Sequence, residues 1–191
     1  QILSDYYRPK KYQKMRKMIL KSYDLDIDHF DTKTPFFFSN MLSEASLPGQ
    51  NVLALDHLLW QFALAEGKEM KGVESFDDQV EILKKIPLDY QIKALKDIVS
   101  NISSFRHKLN KLNELYALGK YDQLYKSTKK SMGKIRKLMI YDRNHHMASR
   151  IIELSSEKTA FFAIGAGHLA GGNGLLALLK KKGYKLKVIE I

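Results

Sequence analysis

One imidazole stands out for its setting. Gly165-Ala166-Gly167-His168 is followed by Gly171, Gly172 and Gly174, so His168 is the only titratable side chain in a stretch of small residues. Residues this small let the backbone turn sharply and leave the imidazole open to a ligand. The helix expected just after it, with Asn173 as its cap, would offer free N–H groups to an anion or a developing oxyanion. The competing reading is a structural histidine in a common glycine-rich turn. It is not a dinucleotide fingerprint: Gly165-x-Gly167 lacks the third glycine, and the only acid about 20 residues on is Glu190.

Two further residues could share the chemistry. Glu74 stands at the carboxyl end of Met70-Lys71-Gly72-Val73-Glu74 and would reach the same edge as His168 if both segments were parallel strands; the alternative is a solvated acid near a helix start. Arg143 interrupts the apolar stripe Met139, Met147, Ile151 at intervals of four, and a buried guanidinium calls for an anionic partner. Glu74 or a bound ligand could supply it, unless the arginine snorkels to the edge of the stripe. His145 and His146 are adjacent on the same expected helix, about 100° apart, and cannot chelate one ion together. His29, His57 and His107 lack partner spacing and read as structural or surface groups.

The elements that must position these groups read as follows. Helical periodicity marks a helix from Pro9 through Tyr23, a short one over residues 36–47 closed by Pro48-Gly49, and a third over residues 51–66 with Gly67 as its C-cap. A strand over residues 69–74 leads to Ser75, which caps a helix over residues 76–86. Two helices and a shorter one fill residues 88–132 as an insertion, and a long helix covers residues 134–154. The tail then reads as a buried strand (159–164), the glycine loop (165–172), a helix (173–182) capped by Gly183, and a closing strand (186–191). The expected fold class is α/β, a mostly parallel sheet with a C-terminal βαβ unit and a helical insertion over residues 88–132, all in one domain.

Composition narrows the options. The 191 residues contain no cysteine, so thiolate metal sites and cysteine nucleophiles are excluded, and any metal must be held by His, Asp, Glu or water. The net charge of +11 would suit nucleic acid, but Lys10-Lys11, Lys84-Lys85, Lys129-Lys130, Lys134-Ile135-Arg136-Lys137 and Lys180-Lys181-Lys182 have no interleaved aromatics and read as solubilising helix-end charge. No nucleic-acid partner is expected. The apolar runs are far shorter than the roughly 20 residues of a membrane-spanning helix.

The run Phe161-Phe162-Ala163-Ile164-Gly165-Ala166-Gly167-His168-Leu169-x-Gly171-x-x-Gly174-Leu175, with Leu178-Leu179 and Gly183-Tyr184, resembles the closing motif of the TraB/GumN family, which includes the Tiki-type proteases. Upstream, Leu55-Asp56 to Ala65-x-Gly67-Lys68, Val73-Glu74-Ser75 with Gln79, Tyr116-x-x-Gly119 with Leu124, and Arg143-Asn144 agree in order. Tiki-type members are metal-dependent peptide hydrolases with two Gly-x-x-His motifs. Only the second, Gly165 to His168, is in this chain, so the resemblance implies the C-terminal two-thirds of the domain, with the first motif upstream of Gln1.

On that resemblance His168 and Glu74 would bind a divalent metal (Mn²⁺ or Co²⁺), with His168 otherwise a general base. Arg143 and Asn144 would orient substrate or stabilise an oxyanion, and Gly165, Gly167 and Gly171 would form the ligand-binding loop. The substrate would be a peptide or protein. Other members are a pheromone-shutdown protein and a polysaccharide-cluster product, so the same pocket could instead bind a peptide signal without cleaving it. Export or membrane association is implied for the compartment. With half of the metal site, the chain alone is expected to be inactive and weak in metal binding, and its unpaired sheet edge to favour a homodimer.

Overall fold

The computed structural model describes residues 3–30, 32–47 and 54–189. It gathers into two compact units, one built from the chain up to Val52 together with Ile86–Asn113, the other from Leu53–Lys85 and Glu114–Ile191.

In the first unit, α1 (Pro9–Tyr23) opens on Pro9 at its first turn, where the missing N–H leaves nothing unsatisfied. It buries Tyr12, Met15 and Ile19 on one face. Helix α2 (Pro35–Glu44) starts at Thr34, whose hydroxyl accepts from the Phe37 N–H. Both pack on α5 (Leu88–Ser100), and Leu3, Ile27, Phe38, Leu42, Leu95 and Val99 complete the core. Residues 88–132 are therefore not an insertion into a sheet: α5 is a central element of this unit, its burial of Leu95 and Val99 making it so.

The second unit contains α3 (Leu55–Ala65), α4 (Phe76–Lys84), α7 (Tyr121–Met132), α8 (Asp142–Glu157) and α9 (Leu175–Lys181); α6 (Ile102–Ala117) runs along the chain between the two sets. Ser75 and Asp78 form a reciprocal capping box on α4. Gly67 and Gly183 adopt the left-handed conformation just beyond α3 and α9, as C-caps do. The helix expected over residues 134–154 is broken into a 3₁₀ turn (Gly133–Ile135), a π-helical turn (Lys137–Tyr141) and α8. The core is Met147, Ala148, Ile151, Leu175 and Leu178, with Val73, Phe162 and Ile164 against it.

The α/β expectation is overturned, because no strand forms among the described residues. Residues 159–164 take no part in any backbone hydrogen bond among the described residues, and neither do residues 185–189. A strand exists only through its ladder, so without a paired neighbour the apolar text stays irregular. The alternation that suggested a strand is nonetheless real: Phe162 and Ile164 pack on the α8/α9 core while Phe161, in the opposite phase, is 83% exposed. Residues 69–74 are likewise irregular, with a bend at Val73-Glu74. There is no parallel sheet and no βαβ crossover in the described residues; one helix, α9, follows the glycine loop. Pro48-Gly49, the start of the predicted third helix and the last two residues of the closing strand lie outside them.

Candidate functional site

Adjacent residues of a helix point about 100° apart, and the first turn of α8 uses that divergence. Arg143 turns towards the bend before α4, where Nε donates to Glu74 Oε1 at 2.8 Å and Nη2 to Oε2 at 2.6 Å. The fork is bidentate and largely out of solvent, with side-chain exposures of 19% for Arg143 and 6% for Glu74. Arg143 therefore does not snorkel; it has found the carboxylate that its place in the stripe called for. Asn144 turns the other way and is completely buried.

The Asn144 amide decides the state of His168. Its Nδ2 donates to the backbone oxygens of His168 (3.2 Å) and Asn173 (2.6 Å), which leaves Oδ1 facing His168 Nδ1 at 2.6 Å. Flipping the amide would set Oδ1 against two carbonyl oxygens, so the orientation is forced. Oδ1 can only accept; hence Nδ1 carries the proton and Nε2 keeps its lone pair free for a proton or a ligand. One side chain thus pins both ends of the glycine loop and selects the tautomer.

The loop follows from local chemistry. His168 N–H donates to Gly165 O, and Leu169 N–H to Ala166 O, closing the 3₁₀ turn Ala166–His168. The demand for glycine falls at two positions. At Gly174 a Cβ would stand 2.3 Å from Leu169 O and 2.4 Å from Ala170 O; at Gly171, with φ of +89°, it would lie 2.3 Å from the Tyr125 ring. A Cβ at Gly167 would meet nothing within 4 Å and one at Gly165 only the His168 ring at 3.9 Å. Gly174→Ala should therefore destabilise by at least about 2 kcal/mol in urea denaturation, while Gly167→Ala should leave stability within about 0.5 kcal/mol. Asn173 does not cap α9: the N-cap residue is Gly174, and Asn173 contributes its carbonyl to Asn144 instead.

Burial holds the His168 imidazole well below its usual value, at about 4, and the Arg143 charge pushes the same way while Glu74 opposes it. The linkage has a definite sign. The folded-state pKa lies below the unfolded value near 6.5, so between the two the unfolded chain binds more protons. The stabilisation is complete above pH 6.5 and is lost as pH falls through 4. In the metal-free protein, His168→Gln should flatten the pH dependence of stability across that window by roughly 2 kcal/mol, measured by denaturant titration at pH 7 and pH 4.

The structure thus brings Glu74, Arg143, Asn144 and His168 into one neighbourhood. His145 and His146 are exposed on α8, with His146 Nε2 3.9 Å from Asp78 in the first turn of α4. The His57 ring bonds Gln61 within its own helix. Among the described residues no three of His, Cys, Asp and Glu group as a metal shell. Both oxygens of Glu74 accept from Arg143, so a divalent metal would find His168 Nε2 open and would have to share Glu74 with the guanidinium. Arg136, placed by sequence among solubilising charges, is buried close by. A signal existed: on the continuous helix predicted over residues 134–154, it lies seven residues before Arg143, two turns along the same face.

Among described residues, no helix is long and apolar enough to cross a membrane. The chain is similar to a metalloprotease TIKI homolog of Nematostella vectensis, 24% identical over 89% of this chain and 43% of that protein. It is also similar to metalloprotease TIKI1 of Danio rerio (28% identical; 78% of this chain, 36% of the relative) and metalloprotease TIKI2 of Xenopus tropicalis (27%; 78% and 34%). It therefore spans less than half the length of these relatives. No solved structure matches it. The model of the TraB/PrgY/gumN family matches residues 1–188, all but the last three positions, and the chain belongs to that family.

Proposed function

We propose that this chain carries one side of the catalytic site of a hydrolase acting on peptides, with His168 as its reactive group. The observation that supports this reading most is the 2.6 Å bond from His168 Nδ1 to a fully buried Asn144 amide. It leaves Nε2 unprotonated over a wide pH range, as a base or a metal-binding nitrogen must be. The likeness to proteins named metalloproteases supports a peptide substrate and a divalent metal, with Mn²⁺ or Co²⁺ as the ions to try.

A bound metal would polarise the scissile carbonyl or its attacking water. The remaining ligands of such an ion would come from outside the described residues. Within this chain, Asn144 positions the imidazole and the loop rather than stabilising an oxyanion, since both of its amide hydrogens are already used. Arg143 and Glu74 neutralise one another and brace the start of α8 against the bend at Val73-Glu74, a positioning role. Gly165 and Gly167, which have no steric need of their own, leave room for a substrate backbone beside the imidazole.

The test is cleavage of a defined peptide mixture by the full-length protein, read by mass spectrometry with Mn²⁺, Co²⁺ or a chelator present. Metal-dependent new termini are expected. Peptides retained by the protein yet left intact under every metal would refute hydrolysis and leave a peptide-binding function for the same pocket.

A further inference from the structure

Arg136 is 3% exposed, and its surroundings do not satisfy it. Nε donates to the Tyr141 hydroxyl at 3.0 Å and Nη1 reaches Thr128 Oγ1 only at 3.5 Å. The guanidinium carbon lies 4.5 Å from the Tyr125 ring centroid and 5.5 Å from that of Tyr141. Nη2 is buried with no hydrogen-bond partner among the described residues. The acids nearest in sequence do not help: Asp142 is held by Lys137, and Asp122 is exposed on α7.

Magnitudes decide what this means. An arginine does not shed its proton, so the charge stays. Two aromatic faces contribute on the order of 2 kcal/mol each when desolvated, which offsets part of the several kcal/mol that a buried charge without its ion partner costs. Aromatic faces also leave the in-plane donors unused. The unsatisfied edge is the one formed by Nη1 and Nη2, a planar pair of donors whose geometry matches the two oxygens of a carboxylate. Tyr125, Thr128 and Tyr141 are all half-buried, so the guanidinium lies about one side chain below the surface.

The position points to the candidate site. Tyr125 presses against the backbone at Gly171, and both α7 and the π-helical turn pack on the 3₁₀ turn that carries His168. The Arg136 charge is felt at the imidazole. An anion bound to Arg136 therefore sits beside the His168 loop.

We propose that Arg136 is the carboxylate-binding residue of this site and takes a free carboxylate of the peptide through its Nη1/Nη2 edge. The proposal rests on the reading of the ligand as a peptide. The carboxylate has two sources in a peptide, the C-terminus or an Asp or Glu side chain, and the test separates them.

Calorimetric titration of the full-length protein uses three probes: acetyl-dialanine, acetyl-dialanine amide, and acetyl-aspartyl-alanine amide. At least one acid should bind about tenfold more tightly than the dialanine amide, and the one that does identifies the source. Arg136→Lys, which keeps the charge but loses the fork, should bind that acid about tenfold more weakly, with its fold verified by near-UV circular dichroism. Arg136→Met should no longer distinguish acid from amide. His168→Ala should still distinguish them, so a protein that binds carboxylates but cleaves nothing would refute hydrolysis and leave this assignment standing. Equal affinity of the wild type for both acids and the amide would overturn it, as would Arg136→Lys binding with wild-type affinity; either result would assign the guanidinium to an acid of the protein itself.

Discussion

In the full-length protein, His168→Ala is expected to lower peptide cleavage by about 10²–10⁴-fold, the span that a positioned base or acid contributes, while His107→Ala leaves it unchanged. The contrast follows from what each ring touches. His168 is partly buried, bonded through Nδ1 to an amide oxygen that can only accept, and influenced by the charges of Arg143, Glu74 and Arg136. His107 is exposed on α6. The ring itself adds a second readout: in an NMR titration of the metal-free protein the imidazole should stay neutral down to about pH 4 instead of titrating near 6.5. Asn144→Asp refines the argument, since a carboxylate could still accept from Nδ1 but could not donate to the carbonyls of His168 and Asn173. It should therefore loosen the loop and lower activity despite keeping a partner for the ring. Equal rates for wild type and His168→Ala, in an assay supplemented with metal, would remove His168 from the chemistry.

The second large effect is on stability. Glu74→Ala should destabilise the second unit by about 3 kcal/mol, because it leaves the Arg143 guanidinium largely buried without its anion. Replacing both partners, as in Glu74→Leu with Arg143→Leu, should recover most of that loss, because the desolvated charge goes with its partner. Urea denaturation of wild type, both single variants and the double variant gives the coupling directly. A loss below about 0.5 kcal/mol in Glu74→Ala would mean that water screens the pair as it does an exposed bridge. The pair also tunes the imidazole. Removing the Arg143 charge should raise the His168 pKa, and removing the Glu74 charge should lower it further, in an NMR titration of the ring.

Much of the local structure was legible from residue types alone. Pro9 at a first turn, Ser75 with Asp78 three residues on, and Gly67 and Gly183 after apolar periodicity each satisfy or terminate a backbone within a few residues. Their causes are local, so sequence contains them. The conflict of an arginine inside an apolar stripe was legible for a related reason: helical spacing alone set it among Met147 and Ile151, and only its partner was in question.

What tertiary structure decided lies between distant positions. Glu74 and Arg143 are 69 residues apart and Asn144 and His168 are 24 apart, and nothing in either segment states that their side chains meet. The division of labour between Arg143 and Asn144 depends on the phase of α8, which the π-helical turn before it sets and which no propensity encodes. The strand reading of residues 159–164 failed for the same reason. Alternation of Phe161, Phe162 and Ile164 determines which side chains face the α8/α9 core, but a strand also needs a neighbouring backbone to pair with, and pairing is a property of the fold rather than of the segment. Arg136 shows the reverse case, a cation that composition assigns to the surface and packing places between two tyrosines, because burial is decided by what the chain brings over a residue and not by the residue itself.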